Sequence, residues 1–328
     1  MTATRPALIL QPRDREVLGS LGENGLMDTD MVHGHHFADV SHRRCRQRLS
    51  LYQQHGLTRT MTLKLWTIES SQRAPTVHSL TERGVEVVLS FDSMHGNRPL
   101  RVSKGEPQPA TIHHRLQIVR TKLILDAACR ANRLVLPQWI LEQDRDPTAN
   151  SELPPNQRRL LYHGFHGQPP CTCQPDAACR FSVPRDLANP KAGVNEIIGF
   201  CEIDFSSEGR KQIANKLPGY ARLLTEHTYA RYFPHTENAV VRIFWVCRSA
   251  ERITSLRERL AEEQIAEFFR FTTIHELNPS SALTTLSEGD QAVFSVAGEG
   301  PSNSGGCLAP SLRWQCRHGS AIGTARTY

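Results

Sequence analysis

The sequence predicts an α/β protein, α+β over the whole chain, in which a small helical domain precedes a mixed β-sheet flanked by helices. Three observations carry this prediction. Residues 1–91 show apolar positions at helical spacing and then a hairpin pattern. Residues 92–110 are polar, contain Gly and Pro, and are typical of a linker. From 111 to 278, apolar strand-like runs alternate with amphipathic segments, and residues 279–328 are predicted to be a low-complexity, disordered tail.

Composition places the chain among globular proteins that act in the cytoplasm. Its 328 residues carry a formal net charge of +6, and a charged fraction of 22% argues against global disorder. No apolar run approaches the roughly 18–20 residues that cross a bilayer. The N-terminus lacks the apolar core of a signal peptide. We therefore expect a cytoplasmic protein whose nine cysteines are free thiols.

The N-terminal third predicts the element order of a winged helix-turn-helix domain. A first short helix is followed by a second, for which Asp28 or Thr29 is a suitable cap, and by a third, which Ser41 can cap. Two β-like runs, at 58–68 and 76–80, then predict a hairpin, and a further short helix follows it. In domains with this order, the third helix enters the major groove of DNA.

Basic residues cluster on the predicted third helix and hairpin. Between Asp39 and Glu69 the chain contains no acidic residue. The predicted contacts with phosphates and base edges are Arg43, Arg44, Arg46, Gln47, Arg48, Arg59 and Lys64. A solvated helix face is the simpler alternative, but the helix and hairpin order favours binding to double-stranded DNA.

The second part begins with a long amphipathic helix from Thr111 and continues as a mixed sheet. Strands are predicted at 134–141, 176–183, 196–205, 239–246 and 268–275, and helices at 207–226 and 250–264. The resulting order, α-β-β-β-α-β-α-β, indicates a sheet with helices on its faces.

An irregular loop is predicted at 144–173. This loop and the residues after it contain side chains that can bind zinc: His163, His166, Cys171, Cys173 and Cys179. Cys-x-Cys with His-x-x-His is not a standard structural zinc spacing, so a loop insertion with incidental thiols is the favoured interpretation.

Acidic residues at strand ends suggest a metal site. Glu202 and Asp204 are two residues apart on a predicted strand, so they project to the same face, and Asp176 leads the preceding strand. Three converging carboxylates would form an oxygen-rich site for a hard cation such as Mg²⁺ or Mn²⁺. The structural alternative is a solvated strand end, or acids paired with Lys211 and Lys216.

The motifs and their order resemble two known groups of proteins. Pro175-Asp176 followed by Glu202-x-Asp204 resembles the PD-(D/E)xK nuclease superfamily. Over residues 10–275 the chain resembles the replication-relaxation family of plasmids and integrative elements. The motifs that carry this second resemblance are Arg13-Asp14-Arg15-Glu16-Val17-Leu18, His55-Gly56-Leu57, Leu80-Thr81-Glu82-Arg83-Gly84, His114-x-Leu116, Pro175-Asp176-Ala177, and Phe200-Cys201-Glu202-Ile203-Asp204 with Lys216-x-x-x-Tyr220.

The nuclease resemblance implies a set of catalytic residues. Asp176, Glu202 and Asp204 would be the metal ligands, binding Mg²⁺ or Mn²⁺. The superfamily pattern has a lysine where this chain has Asp204, so Lys216 on the following helix would take the role of that lysine. A third carboxylate at this place raises the negative charge that a cation must offset. His113 and His114 can reach the site from their helix, although a histidine near a helix N-terminus is more often exposed.

The family resemblance implies a role in replication initiation, relaxation or mobilisation of a plasmid or integrative mobile element. One expected function is DNA binding, with a degenerate nuclease-like domain used for assembly or DNA contact. The alternative is an active metal-dependent endonuclease or nickase. A ligand-sensing repressor ranks last, because no phosphate-binding glycine loop is present. Implied partners are double-stranded DNA and other replication or mobilisation proteins, with no membrane, and a homodimer is compatible with the sequence.

Overall fold

The computed structural model describes residues 8–63, 75–91, 100–101, 109–184, 194–204, 210–236 and 239–287. Statements about structure refer to these ranges. Lys64, most of the predicted linker and residues 288–328 of the predicted tail lie outside them.

Helices and a small antiparallel sheet form the N-terminal unit, by which we mean the described residues from 8 to 91. In chain order its elements are α1 (Pro12–Asn24), β1 (Met27–Asp28), α2 (Thr29–His36), α3 (His42–Gln54), β2 (Thr58–Thr62), β3 (Thr76–Leu80) and α4 (Glu82–Leu89). The strand order is β1-β3-β2, and both pairings are antiparallel. The predicted succession of three helices and a hairpin is therefore present, with β1 as an additional edge strand.

The predicted caps begin α2 and α3. Asp28 accepts a hydrogen bond from the Met31 amide at 2.7 Å, and Ser41 accepts one from the Arg44 amide at 3.4 Å. Each cap satisfies an amide that has no partner within its helix. Cys45, Leu49 and Tyr52 of α3 are buried in the core of the unit, as their spacing predicts. The opposite side of α3 is left to solvent.

Helix α4 packs against the chain just before β2. The amide of Thr81 donates to the Leu57 carbonyl oxygen at 3.0 Å, and a Cβ at Gly84 would overlap with the same oxygen. Because close-packed interiors do not accommodate such overlap, glycine is required here by packing.

A five-stranded mixed sheet forms the second unit. Its elements are α5 (Pro109–Ala131), β4 (Gln138–Leu141), β5 (His163–Phe165), β6 (Cys171–Cys173), β7 (Ala177–Pro184), β8 (Val194–Asp204), α6 (Arg210–Thr225), β9 (Val240–Cys247), α7 (Ala250–Leu260), β10 (Phe269–Thr273) and α8 (Pro279–Ser287). The strand order is β10-β9-β8-β7-β4. Strands β4, β7 and β8 pair antiparallel, whereas β9 and β10 continue the sheet in parallel. The predicted α/β fold class is confirmed.

Helices cover both faces of this sheet. Helices α6 and α7 pack on the face that carries Phe200 and Trp245, and α5 and α8 pack on the face that carries Cys201 and Phe244. Strand β8 is therefore buried on both sides, which explains its continuous apolar run. Its alternation places Glu202 on the face covered by α6 and α7.

Two regions differ from the predicted elements. Strands β5 and β6 pair as a hairpin within the segment predicted to be irregular, and a Cβ at Gly219 of α6 would overlap with the Thr172 carbonyl oxygen of this hairpin. Residues 279–287, predicted as the start of a disordered tail, form α8, whose Ala282 and Leu283 are buried against the sheet. The side chain of Asn278 accepts a hydrogen bond from the Ser280 amide at 2.9 Å, which explains how a Ser- and Thr-rich segment begins a helix. None of the described helices is long and apolar enough to span a membrane.

Candidate functional site

Three acidic residues form a row across three neighbouring strands. The register pairs Leu141 of β4 with Ala177 of β7, and Ala177 with Cys201 of β8. One step further along, the same register sets Glu142 opposite Asp176 and Asp176 opposite Glu202. Side chains directly opposite each other on antiparallel strands lie about 5 Å apart, so the row concentrates negative charge at one end of the sheet.

Backbone contacts fix Asp176 at the start of β7. Its amide donates to the Cys201 carbonyl oxygen at 3.0 Å, and its Oδ2 accepts from the Ile203 amide at 2.8 Å. Its other oxygen, Oδ1, lies 3.0 Å from His114 Nε2 of α5. Burial lowers the pKa of His114, but the hydrogen bond and charge of Asp176, with the nearby acids, outweigh burial and raise it above its ordinary value. Without a bound cation, this imidazole therefore tends to hold a proton that balances the acids.

Glu142 completes a cluster of potential metal ligands. One ligand atom from each of His114, Glu142 and Asp176 lies within 4.8 Å of the others. Arg115, the next residue on α5, directs its Nε to Glu142 Oε1 at 2.7 Å, and the Glu142 side chain is 12% exposed. His114 and Arg115, which are adjacent on α5, thus contact Asp176 at the start of β7 and Glu142 at the end of β4.

Glu202, the third acid of the row, is buried beneath α6. Lys216 Nζ lies 2.8 Å from Glu202 Oε2, and the Tyr220 hydroxyl donates to Glu202 Oε1. Burial raises the pKa of Glu202 to about 7; Lys216 opposes this rise, and the negative charge of Asp176 adds to it. An acid whose pKa is shifted to near neutral pH is a common feature of catalytic sites.

Asp204 projects from the same face of β8 and contacts a different helix. Arg252 of α7 places its Nε 2.8 Å from Asp204 Oδ2, and the Asp204 side chain is 1% exposed. This arginine offsets the charge of the carboxylate, so Asp204 serves an ion pair that fastens α7 to the sheet.

The N-terminal unit presents an exposed basic surface on α3. Arg43, Arg44, Arg46 and Gln47 are exposed. Arg59 on β2 is partly exposed, and its Nε donates to Ser79 Oγ on β3 at 3.0 Å. These positions agree with the face predicted from helical spacing.

Arg48 differs from the other arginines of α3, because it contacts the buried Asp14 of α1. Its Nε lies 2.7 Å from Asp14 Oδ1, its Nη2 donates to Asp14 Oδ2, and the Tyr52 hydroxyl donates to Asp14 Oδ1. Burial raises the pKa of Asp14, but these hydrogen bonds and that of the Gln11 amide outweigh it and hold the pKa below its usual range. Arg48 therefore anchors α3 to α1.

The comparison with protein families identifies the family of this chain. The model of the replication-relaxation family matches residues 18–236, which is more than half of the chain. The chain belongs to the replication-relaxation family. The match extends from α1 to the end of α6 and beyond, so it includes the exposed face of α3, the row of acids and Lys216. Neither the curated proteins nor the solved structures yield a significant match.

In this replication-relaxation protein, the predicted site residues do not all contact one another. Asp176 and Glu202 lie on neighbouring strands, and Lys216 reaches Glu202. The ligand cluster around Asp176 contains His114 and Glu142 where the sequence suggested Glu202 and Asp204. Sequence reasoning set His114 aside and missed Glu142. Glu142 could have been noticed because it directly follows β4, and β4 pairs with β7, the strand that begins after Asp176. The side chain of Lys211, the other lysine considered for these acids, lies outside the described residues.

The cysteines and histidines considered for zinc do not form a metal site among the described residues. His163 and Cys173 are opposite each other in the β5–β6 hairpin. The ring of His163 hydrogen-bonds to Thr228 Oγ1 at 2.8 Å and to the Tyr232 hydroxyl at 3.1 Å, and its pKa is lowered to about 3 by burial. His163 therefore has a structural role between the hairpin and the turn after α6.

Proposed function

We propose that this protein binds double-stranded DNA through its N-terminal unit and nicks DNA at a metal-dependent site in its α/β unit. The family match indicates a role in DNA replication or mobilisation. The observation that carries the finer proposal is the row of Glu142, Asp176 and Glu202 with Lys216 beside it.

The row is costly for the fold unless a cation offsets it. Like charges directly opposite each other destabilise a sheet, and Glu142 and Glu202 are only 12% and 3% exposed. Arg115, His114 and Lys216 each contact one of the three acids, yet burial and the charge of Asp176 still raise the pKa of Glu202 to about 7. Such a cost at one end of a sheet is typical of a functional site.

The residues present fit a divalent cation. Glu142 and Asp176 offer the carboxylate oxygens that Mg²⁺ and Mn²⁺ prefer, and His114 offers an imidazole nitrogen, which Mn²⁺ accepts more readily than Mg²⁺. When bound, the cation would lower the pKa of a water and offset charge on a phosphate. His114 would release its proton in the same step, since a ligating imidazole must be neutral.

The other side chains have separate roles in this proposal. Glu202, with a pKa about 7, is suited to accept a proton from the attacking water, and Tyr220 orients its carboxylate. Lys216 is 30% exposed, so its ammonium can both contact Glu202 and offset the charge that develops on the phosphate. Arg115 holds Glu142 in the ligand cluster.

Plasmid nicking tests the catalytic part. The purified protein is incubated with supercoiled plasmid and Mn²⁺ or Mg²⁺, and the wild type is expected to produce open circles. Asp176→Asn should abolish nicking and keep the gel shift with duplex DNA. The matched control is Glu196→Gln, at the other end of β8, where Glu196 pairs with Arg180. Nicking by Asp176→Asn at the wild-type rate would contradict the proposal.

Salt dependence tests the DNA-binding part. Each arginine that contacts a phosphate contributes roughly one unit to the slope of log affinity against log salt concentration. Replacing both Arg43 and Arg46 with Ala should weaken duplex binding and reduce this slope by about two. An unchanged slope would show that α3 does not contact DNA.

A DNA-binding protein with an inactive nuclease-like domain is the second candidate. The specific observation in its favour is Asp204, which occupies the place of the superfamily's lysine and pairs with Arg252. This candidate predicts intact plasmid with either metal ion and a retained gel shift.

A further inference from the structure

Arg101 joins the end of α1 to the loop that carries Glu142. Its Nε and Nη2 each lie 2.5 Å from an oxygen of Asp144, and its Nη1 donates to the Glu23 carbonyl oxygen. Its backbone amide donates to the Gly22 carbonyl oxygen at 2.7 Å. The last carbonyls of a helix have no partner within the helix and carry partial negative charge, so they favour an arginine.

Asp144 closes the turn that contains Glu142. Its amide donates to the Leu141 carbonyl oxygen at 2.9 Å, and its Oδ2 accepts from the Leu141 amide at 3.0 Å. Both ends of the turn around Glu142 are therefore held by one residue. That residue is in turn held by the bidentate contact of Arg101, whose side chain is 5% exposed.

A second set of contacts ties the same helix end to β4. Lys122 of α5 lies 3.3 Å from Glu23 Oε1 and 2.8 Å from Asp126 Oδ2, and Trp139 of β4 donates to Asp126 Oδ1 at 2.9 Å. These residues and Arg101 line a cavity of about 1230 Å³ between the N-terminal unit and the sheet. Across this cavity, the charged contacts of Arg101 and Lys122 link the turn and β4 to the end of α1.

We infer that the N-terminal unit is a structural part of the metal site, because the end of α1 holds Arg101, and Arg101 acts through Asp144 to position Glu142 for the cation. This inference rests on the proposed function. Arg101 and Asp144 are positioning residues and do not bind the cation themselves. The N-terminal unit thus sets the affinity of the site for its cation even when no DNA is bound, in addition to delivering the site to DNA.

Metal binding to the full chain without DNA tests the inference. Mn²⁺ affinity is measured by titration calorimetry and by the loss of the free Mn²⁺ signal in electron paramagnetic resonance. Residues that orient a metal ligand typically change affinity by about 10- to 100-fold when they are replaced. We expect Arg101→Met to weaken Mn²⁺ binding by about tenfold at the least, and Arg101→Lys, which keeps the charge but loses the bidentate contact, to weaken it less.

Two further variants make the result specific. Asp144→Asn should weaken binding similarly, and the double variant with Arg101→Met should be no weaker than either single variant, since both changes break one link. The control is Arg180→Met, which removes an ion pair with Glu196 at the far end of β7 and β8 and should leave Mn²⁺ affinity unchanged. If Arg101→Met fails to fold, Asp144→Asn keeps the shape of the turn and carries the test.

The outcomes separate the inference from the function on which it rests. Wild-type protein that binds no Mn²⁺ would overturn the metal site, and the positioning role with it. Wild-type protein that binds Mn²⁺ with the same affinity as folded Arg101→Met or Asp144→Asn would overturn the positioning role alone.

Discussion

Asp14 in the N-terminal unit and Glu202 in the sheet are two buried carboxylates with similar partners, but their pKa values are shifted in opposite directions. Each accepts hydrogen bonds from one basic side chain and from one tyrosine hydroxyl. The pKa of Asp14 is held below its usual range, whereas burial raises the pKa of Glu202 to about 7. One basic partner and one tyrosine hydroxyl beside a buried acid therefore do not by themselves decide its protonation.

What differs is the number of donors and the charge of the next neighbour. Asp14 receives two bonds from Arg48 and a further one from the Gln11 amide. Glu202 receives one bond from a lysine, and it stands opposite a second carboxylate, that of Asp176. The contacts of Asp14 form a closed structural network, in which every hydrogen bond that the described residues make to the carboxylate comes from within the N-terminal unit. The acids Glu202 and Asp176 instead leave negative charge that a bound cation or a substrate can offset.

The largest expected effect is the loss of the closed network. Asp14→Ala leaves Arg48 and Tyr52 without their partner, and breaking a buried pair costs roughly 3–5 kcal/mol. We expect about 3 kcal/mol, the low end, because Arg48 is 20% exposed. Urea unfolding measures this change. Asp39→Ala, which removes an exposed partner of Arg13, is the control and should leave the midpoint in place. Equal midpoints for the two variants would contradict the structural role of Asp14.

A smaller effect on stability is expected at the other acid. Glu202→Gln keeps an acceptor for the Tyr220 hydroxyl and removes a buried charge, so the free energy of unfolding at pH 8 should change by less than about 1 kcal/mol. Plasmid nicking should nevertheless fall by about 100-fold, as expected for the loss of a general base. If Glu202→Gln destabilised the protein as much as Asp14→Ala, the two acids would have the same structural role.

The smallest effect is a difference in pH dependence, measured in the presence of a chelator. Because the pKa of Glu202 is raised from about 4.5 to about 7 on folding, its contribution to stability is present below pH 4.5 and is lost as the pH rises to 7. Glu202→Gln should therefore gain stability relative to wild type as the pH rises across this range. The pKa of Asp14 shifts downward, so its contribution is present above its unfolded pKa and is lost as the pH falls through its lower folded pKa.

A wild-type and Glu202→Gln difference that stays constant from pH 4.5 to 7 would remove the contrast between the two acids. It would indicate that Lys216 neutralises Glu202 as completely as Arg48 neutralises Asp14.

Much of the fold could be predicted from the sequence because local signals were strong. Caps at Asp28 and Ser41 located α2 and α3, and the apolar run of β8 located the centre of the sheet. The β5–β6 hairpin was missed because strands of three residues are too short to show a period of two. Helix α8 was missed because its composition is that of a loop, and its apolar residues are few.

The candidate site could be predicted only where its residues belong to motifs of a known superfamily. Motifs that resemble those of the nuclease superfamily pointed to Asp176, Glu202 and Lys216, and the structure places these three residues next to one another. Glu142 and Arg101 were not predicted, because their contacts join segments that are far apart in sequence. For the same reason Arg48 and Asp204 were assigned to binding and catalysis, although their partners, Asp14 and Arg252, are 34 and 48 residues away.

The glycine at position 84 has a consequence for recognition. Helix α4 touches the Leu57 carbonyl oxygen through this residue, so the helix and the base of the hairpin are fastened to each other without an intervening side chain. If the protein binds DNA as proposed, the DNA would meet a hairpin base that is already packed, and association would not have to order this part of the chain. Selectivity would then depend on how far the DNA must deform to fit this packed surface.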